Sequence, residues 1–371
     1  MFNVENFASK SAKVGVLYPC NHFAMGWKVE GLHRMMGNEM TVGPSPKVVE
    51  AVKAYADKLN WYPEDVLTDD NLREHLADYV GLPGRADWIT CGNGSMEIID
   101  MLYESFVNEV DELVISTPDY TLYTNRALLY GGVVKGVYPK DLDFTYEAQD
   151  FVDQVTDKTK LIMISRPNNP DGHMVGRDII EACLKTEKLV VVDEAYYEFG
   201  EDPIEDLLDA YPNLILSHTF SKAMGLAGIR LGWIVARPEI IDTVNKVRQS
   251  CNLNLMAHVA AIAAIDDREY IKANVKRIIA DRQMFFDAMK EIPGLRPIPS
   301  SNNFVMVDTL ESGIKASDIQ KYLLENHYLI RNWINSRGLP GDRFFRVTIG
   351  THEETTAVID LIKRYCAEHS K

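Results

Sequence analysis

No stretch of the sequence approaches the roughly 18 uninterrupted apolar residues that a membrane-spanning helix needs. Nor does its start, MFNVENFASK, show the basic segment and apolar core of a secretory leader. The expectation is a soluble, cytoplasmic, unprocessed chain. Cysteine is scarce: Cys20, Cys91, Cys183, Cys251 and Cys366 are odd in number and scattered, with no C-x-x-C pair and no His/Cys cluster. That pattern argues against a disulfide framework and offers no metal site, so the thiols read as reduced. Positive charge is also short, 39 Lys and Arg against 54 Asp and Glu, for a net charge of −15. Nucleic acids and anionic membranes favour basic faces, so neither is an expected partner, and small molecules are. Internal repeats and low-complexity tracts are missing too.

What the chain has is length and an ordinary core. Its 371 residues, 46% of them apolar, suffice for two domains or one large domain with a smaller lobe. The first 37 residues show no clear period and read as an arm that packs on another lobe or subunit. From Pro46 apolar residues recur at three and four, predicting a helix, and NLREHLADYVGL predicts a second one ending at Gly81. Then WITC, ELVIS, VVKGVY, KLIMIS, KLVVVD, NLILSH and LGWIVA alternate with helical stretches such as SMEIIDMLYESFV and RDIIEACLKTE. Continuous apolar strands interleaved with helices imply an α/β fold, its mostly parallel sheet covered by helices on both faces. After a long helical stretch, FVMVDT, YLIRNW and FFRVTIG alternate with two more helices and describe a smaller α+β lobe. The expected division is an arm over 1–44, a large domain over 45–262 and a small C-terminal domain over 263–371.

In parallel sheets ligands bind beyond the carboxyl ends of the strands, which selects the residues to inspect. After NLILSHT comes Ser221-Lys222, then a Gly-spaced turn and Arg230. A desolvated lysine loses its proton and can attack a carbonyl as a Schiff-base former. Thr219, Ser221 and Arg230 offer two small donors and one planar cation, which suit an anion. An aldehyde and a phosphate together describe pyridoxal 5'-phosphate. The GNGSME turn places Gly94, Ser95 and Met96 at a helix start, where backbone N–H groups also attract an anion. Tyr120 ends TPDY and can lie over a planar ring. Asn169 sits in the RPNNPDG turn. Asp193 closes a wholly apolar strand, where a carboxylate is costly unless paired, and facing a pyridine nitrogen it would keep that nitrogen protonated. Tyr196 follows three residues later. Arg346 stands among apolar neighbours in FFRVTIG and suits a substrate carboxylate, and Arg331 in YLIRNW reads the same way. Each feature alone has a commoner meaning: a solvated lysine, a capped turn, a core tyrosine, a helix cap, an ion pair. Their order along the strand ends is what points to one site.

That order, with SK…GLAGxRxGW, DEAY, NNPxG, WYPE, PSSNNFVMV and FFRVTIGT, resembles the fold-type I pyridoxal-phosphate-dependent aminotransferases of class I/II. Within them it is similar to the histidinol-phosphate aminotransferase branch and to its neighbour, threonine-phosphate decarboxylase. The resemblance covers about residues 38–370. It implies that Lys222 bonds the cofactor, Asp193 meets the pyridine nitrogen, Asn169 and Tyr196 contact the ring oxygen, and Tyr120 stacks. Gly94, Ser95, Met96, Thr219, Ser221 and Arg230 would surround the phosphate, joined by Tyr62 across the interface of a homodimer with shared active sites. Arg346, with Arg331 and Asn169, would hold the substrate. The implied reaction moves an amino group between an amino acid or amino-alcohol phosphate and a 2-oxo acid. The alternative is decarboxylation of a phosphorylated amino acid, toward which RNWINSRGLPGDRFFRV leans. A regulator without chemistry would carry a helix-turn-helix, basic patch or linker, and none is visible. Three departures stand out. The family's NENPYG is here Asn38-Glu39-Met40-Thr41-Val42-Gly43, so Val42 replaces a phosphate-holding tyrosine. Asp171 stands where threonine is usual, with Arg166 upstream as a charge partner for it. The arm is longer than the family needs.

Overall fold

The computed structural model describes residues 3–16, 21–200 and 202–369. Thirteen strands are named in chain order: β1 His33–Arg34, β2 Ile89–Gly92, β3 Glu112–Ser116, β4 Val133–Val137, β5 Thr159–Ser165, β6 Leu189–Asp193 and β7 Leu214–Thr219. They continue as β8 Gly232–Ala236, β9 Arg296–Pro297, β10 Phe304–Asp308, β11 Tyr328–Leu329, β12 Arg331–Trp333 and β13 Phe344–Thr348. All seven apolar runs of the first half join one sheet, in the order β2-β8-β7-β6-β5-β3-β4. The pairings are parallel except that β8 runs antiparallel to both neighbours.

Why these runs are strands follows from where alternate residues go. Ile162, Ile164, Val190, Val192, Leu214 and Leu216 pack into one core cluster, and Leu161, Met163, Val191 and Ile215 into another. Successive side chains point to opposite faces, so both faces are buried and every position must be apolar. Each such side chain removed from water contributes about 1.5–3 kcal/mol. Helices start where caps allow. The Ser45 side chain accepts from Lys47 N ahead of Pro46–Tyr55, and Asp69 accepts from Leu72 N ahead of Asp70–Tyr79.

The C-terminal part holds a four-stranded antiparallel sheet, order β12-β13-β10-β9, packed with Arg268–Lys290, Ala316–Glu325 and His352–His369. The first 37 residues are less irregular than their sequence suggests. Lys10–Val14, capped by Ser9, and Asn21–Lys28 are helical, and β1 pairs in parallel with β11. Elements this short carry too few turns to show a period. Lys10–Val14 packs on the helix Leu122–Leu129, so the arm touches both halves of the chain. Cys20 lies outside the described residues, and the other four cysteines are free. Among the described residues no helix is long and apolar enough to cross a membrane.

Candidate active site

The carboxyl ends of β5, β6 and β7 share an edge with the start of β8, because β8 runs the other way. Between β7 and β8 the chain makes a short strap, closed by Phe220 N donating to Leu231 O at 3.1 Å and Leu226 N to Phe220 O at 3.0 Å. Lys222 sits on it, and Gly225 N turns back onto Lys222 O at 2.8 Å. Its Nζ donates to Gly37 O at 3.0 Å and lies 5.6 Å from the Tyr196 ring centre. The residue as a whole is partly buried, but its amine is deep enough that burial, helped by Arg346, pushes its pKa down to about 8, against the pull of Glu39 and Asp193. An amine so placed is neutral in a useful fraction near neutral pH.

Asp193 ends β6 with 5% of its surface exposed. Its carboxylate accepts from Tyr123 Oη and from Ala195 N at 3.0 Å. Burial pushes the acid up, while the Tyr123 hydrogen bond and the Lys222 charge pull it back. Tyr196, also buried, meets Phe304 edge to face at 5.5 Å, and its Oη accepts from Asn38 Nδ2 at 2.7 Å. Asn38 in turn accepts from Thr348 Oγ1 at 3.1 Å, and its carbonyl accepts from Asn303 Nδ2 at 3.0 Å. The arm, the large sheet and the small sheet therefore meet at one asparagine.

On the other side of Lys222 lies an anion cradle. Gly94 has φ 82°, and a Cβ there would fall 2.2 Å from Arg230 Nη2. A Cβ on Gly232 would fall 2.5 Å from Ser95 N. These absences let the arginine and β8 press against the N-terminus of Ser95–Phe106, whose free N–H groups carry partial positive charge. Arg230 Nη1 donates to Ala227 O at 3.1 Å. Thr219 Oγ1 and Ser221 Oγ lie 3.1 Å apart beside it. Met96 is 41% exposed and adds only its backbone to this helix turn. Two hydroxyls, a guanidinium and a helix N-terminus fit a phosphate monoester, and the neighbouring lysine and buried carboxylate fit a pyridinium aldehyde.

The third wall comes from β13. Arg346, 5% exposed, donates from Nη1 to Asn169 Oδ1 at 2.6 Å and from Nη2 to Met36 O at 3.1 Å. Its guanidinium lies 4.5 Å from the Phe304 ring centre and 5.0 Å from that of Trp333. Arg331 stands directly opposite Arg346 in register, on the same face of the sheet. Tyr120 meets Tyr123 edge to face at 5.6 Å. Tyr62 is not gathered in: it is 93% exposed, in a loop pinned by Asp65, which pairs with Arg248 at 2.6 Å.

One expected contact does not form. Arg166 donates to Val175 O at 2.8 Å, to Asp202 O at 2.6 Å and to the Asp202 carboxylate, and lies 3.5 Å from Glu194, so none of its nitrogens turns to Asp171. Spacing along a turn does not say which way a side chain leaves it. Two further residues belong to the site. Tyr123 lies in the helix Leu122–Leu129, whereas Tyr120 precedes that helix, so no helical spacing links the two, and Asn38 gave no signal beyond its place in NEMTVG.

Residues 34–362 match the family Aminotransferase class I and II. The chain is a class I and II aminotransferase. Histidinol-phosphate aminotransferases of Methanothermobacter thermautotrophicus and Methanocaldococcus jannaschii are 34% and 33% identical to it. The alignments cover 91% and 92% of this chain and 90% and 91% of theirs. The histidinol-phosphate aminotransferase of Sinorhizobium meliloti, solved in complex with pyridoxal-5'-phosphate, superimposes with a TM-score of 0.84 at 25% identity, covering 97% of this chain and 98% of that one. This aminotransferase is a pyridoxal-phosphate enzyme, and the donor set described above fits that cofactor.

Proposed function

We propose that this aminotransferase takes the amino group of an amino-alcohol phosphate of the histidinol-phosphate type and passes it to a 2-oxo acid, as a homodimer with shared sites. The observation that carries the chemistry is Lys222, whose amine lies on Gly37 O at 3.0 Å and 5.6 Å from the Tyr196 ring centre, where burial and the Arg346 charge favour its neutral form. The phosphorylated donor is supported by the named activity of relatives at about a third identity. Pyridoxal phosphate, when bound, supplies the electron sink that side chains lack. Asp193, whose carboxylate Tyr123 keeps oriented, would hold a proton on the pyridine nitrogen. Asn169 and Tyr196 would contact the ring oxygen of the bound cofactor, and Tyr120 would stack on its ring. Thr219, Ser221, Arg230 and the backbone of Gly94, Ser95 and Met96 would hold the phosphate. Tyr62 of a second copy joins them, which suits an exposed loop also presenting Leu59 and Trp61. Arg346, with Arg331 on the same face, orients the substrate anion. Lys222 Nζ then takes the proton from the substrate Cα.

The test is a panel of amino donors, phosphorylated and not, with and without a 2-oxo acid. Oxo-acid-dependent turnover that prefers the phosphorylated donor supports the reading. Equal use of donors with and without phosphate, in keeping with Val42, would remove the phosphate from it. Release of CO₂ without any oxo acid would replace transfer by decarboxylation.

A further inference from the structure

The Asn168–His173 turn carries more than Asn169. Asp171 lies at its centre, fully buried, and its two oxygens accept from Asn168 Nδ2 at 2.5 Å and from His173 N at 2.7 Å. Asn168 Nδ2 also donates to Pro118 O at 3.0 Å, in the segment that presents Tyr120. The Asn168 carbonyl accepts from Gly172 N at 3.0 Å and from Asn302 Nδ2 at 2.6 Å, and Ser301 N donates to Gly172 O at 2.9 Å. One carboxylate thus ties together the Tyr120 segment, the loop 300–302 of the small lobe, and the asparagine that receives Arg346.

We propose that Asp171 is a positioning residue: by accepting from both Asn168 and His173 it holds Asn169 at Arg346, and so sets how well the enzyme grips a substrate carboxylate. The proposal rests on the reading of Arg346 as the carboxylate-binding residue. Among the described residues no cation pairs with Asp171. The other groups around it are the Tyr146 ring, itself pushed up by burial and by Asp171, then His173 and, beyond Tyr146, Asp119 with Arg337 at 3.6 Å. Burial accordingly pushes the Asp171 acid up to about 7. Above that pH both oxygens accept. Below it a proton occupies one of them while two donors still point at the pair, so one of the two hydrogen bonds weakens and the turn loosens. An amide in place of the acid presents one acceptor and one donor at every pH.

The test compares Asp171→Asn and Asp171→Thr holoenzymes with wild type in steady-state kinetics between about pH 5.5 and 9, using one oxo acid such as 2-oxoglutarate. For Asp171→Asn at pH 8, KM for the oxo acid should rise about tenfold, the scale of a lost bond to a charged group, with kcat within about threefold and cofactor absorbance unchanged. Wild-type KM should climb as pH falls through about 7, and that limb should vanish in Asp171→Asn. Asp171→Thr, whose hydroxyl can accept one bond, should lie between and carries the test if the amide variant does not fold. Unchanged KM, a surviving pH limb in the variants, or parallel loss of kcat and cofactor would each overturn the proposal. Arg346→Ala run alongside separates the two ideas. If it leaves KM for the oxo acid unaltered, the reading of Arg346 fails. If it raises KM while the Asp171 variants do not, only the role of Asp171 fails.

Discussion

Lys222, Thr219, Ser221 and Arg230 all belong to one strap, residues 219–230, whereas Arg346 reaches Met36 across 310 positions of sequence and Asn169 across 177. The first wall is held by hydrogen bonds internal to the strap and by two glycines that let a helix end press against it. The second exists only where the arm, the large sheet and the small sheet converge on Asn38, Asn169 and Phe304. A site assembled this way separates its tasks. The lysine and three of the phosphate-facing side chains come from one local piece of backbone, while the substrate-facing wall depends on how remote segments sit together.

Substitutions on either side should therefore fail differently. Lys222→Ala removes the proton-moving amine, and turnover should fall on the order of 10²–10⁴-fold. Borohydride reduction of wild type should label the peptide containing Lys222, and label on another lysine would break the assignment of the strap as the chemical wall. Arg346→Ala should cost about 2–5 kcal/mol in kcat/KM for carboxylate substrates and leave cofactor retention intact. If simple amines lacking a carboxylate lose as much, the two walls are not separate in function.

The depressed lysine gives a third contrast, in stability. The unfolded chain binds more protons than the folded one between about pH 8 and 10.5, so the stability of the cofactor-free protein should climb with pH there. Lys222→Met should be the more stable by up to about 3 kcal/mol at pH 7, less where water reaches the amine, and the gap should close toward pH 10.5. Denaturant midpoints at the two pH values measure it, and a gap that widens with pH would contradict the burial of the amine. Smallest is Tyr62→Phe, expected to weaken cofactor retention by roughly 0.5–3 kcal/mol without unfolding the chain. In a mixed dimer with Lys222→Ala, the surviving Lys222 belongs to the Tyr62→Phe chain and receives an intact Tyr62 from its partner. That site should match wild type, and a defect there would place Tyr62 in its own subunit's site.

The same contrast explains what could be read from sequence. The seven strands were legible because burial on both faces demands unbroken apolar runs. Asp193 and Lys222 were legible because one closes such a run and the other comes just after one, and Arg230 because it stands just ahead of the next. Arg346 showed itself as a charge among apolar neighbours, yet nothing local revealed that Asn169 and Met36 receive it. Asn38 and Tyr123 carry no local signal because their partners, Tyr196 and Asp193, lie 158 and 70 positions away. The Arg166–Asp171 pair was expected from proximity in sequence and failed because Arg166 satisfies its donors on the Asp202 loop. The arm's two-residue strand pairs with a segment nearly 300 residues on, and no periodicity can develop in two residues.

The reversed direction of β8 also bears on the order in which the molecule forms. Pairing β7 with β8 closes a loop of about a dozen residues, a step with a small entropic barrier, while the contacts of Arg346 must wait for almost the whole chain. We predict that a growing or refolding chain forms the strap before the carboxylate wall. Pyridoxal phosphate captured at that stage would stabilise the half-built molecule by mass action, making the cofactor an aid to folding before it is a reagent. Pulse-labelled hydrogen exchange should find the amides of 219–231 protected ahead of those of 344–348, and simultaneous protection would show the two walls to be one folding unit.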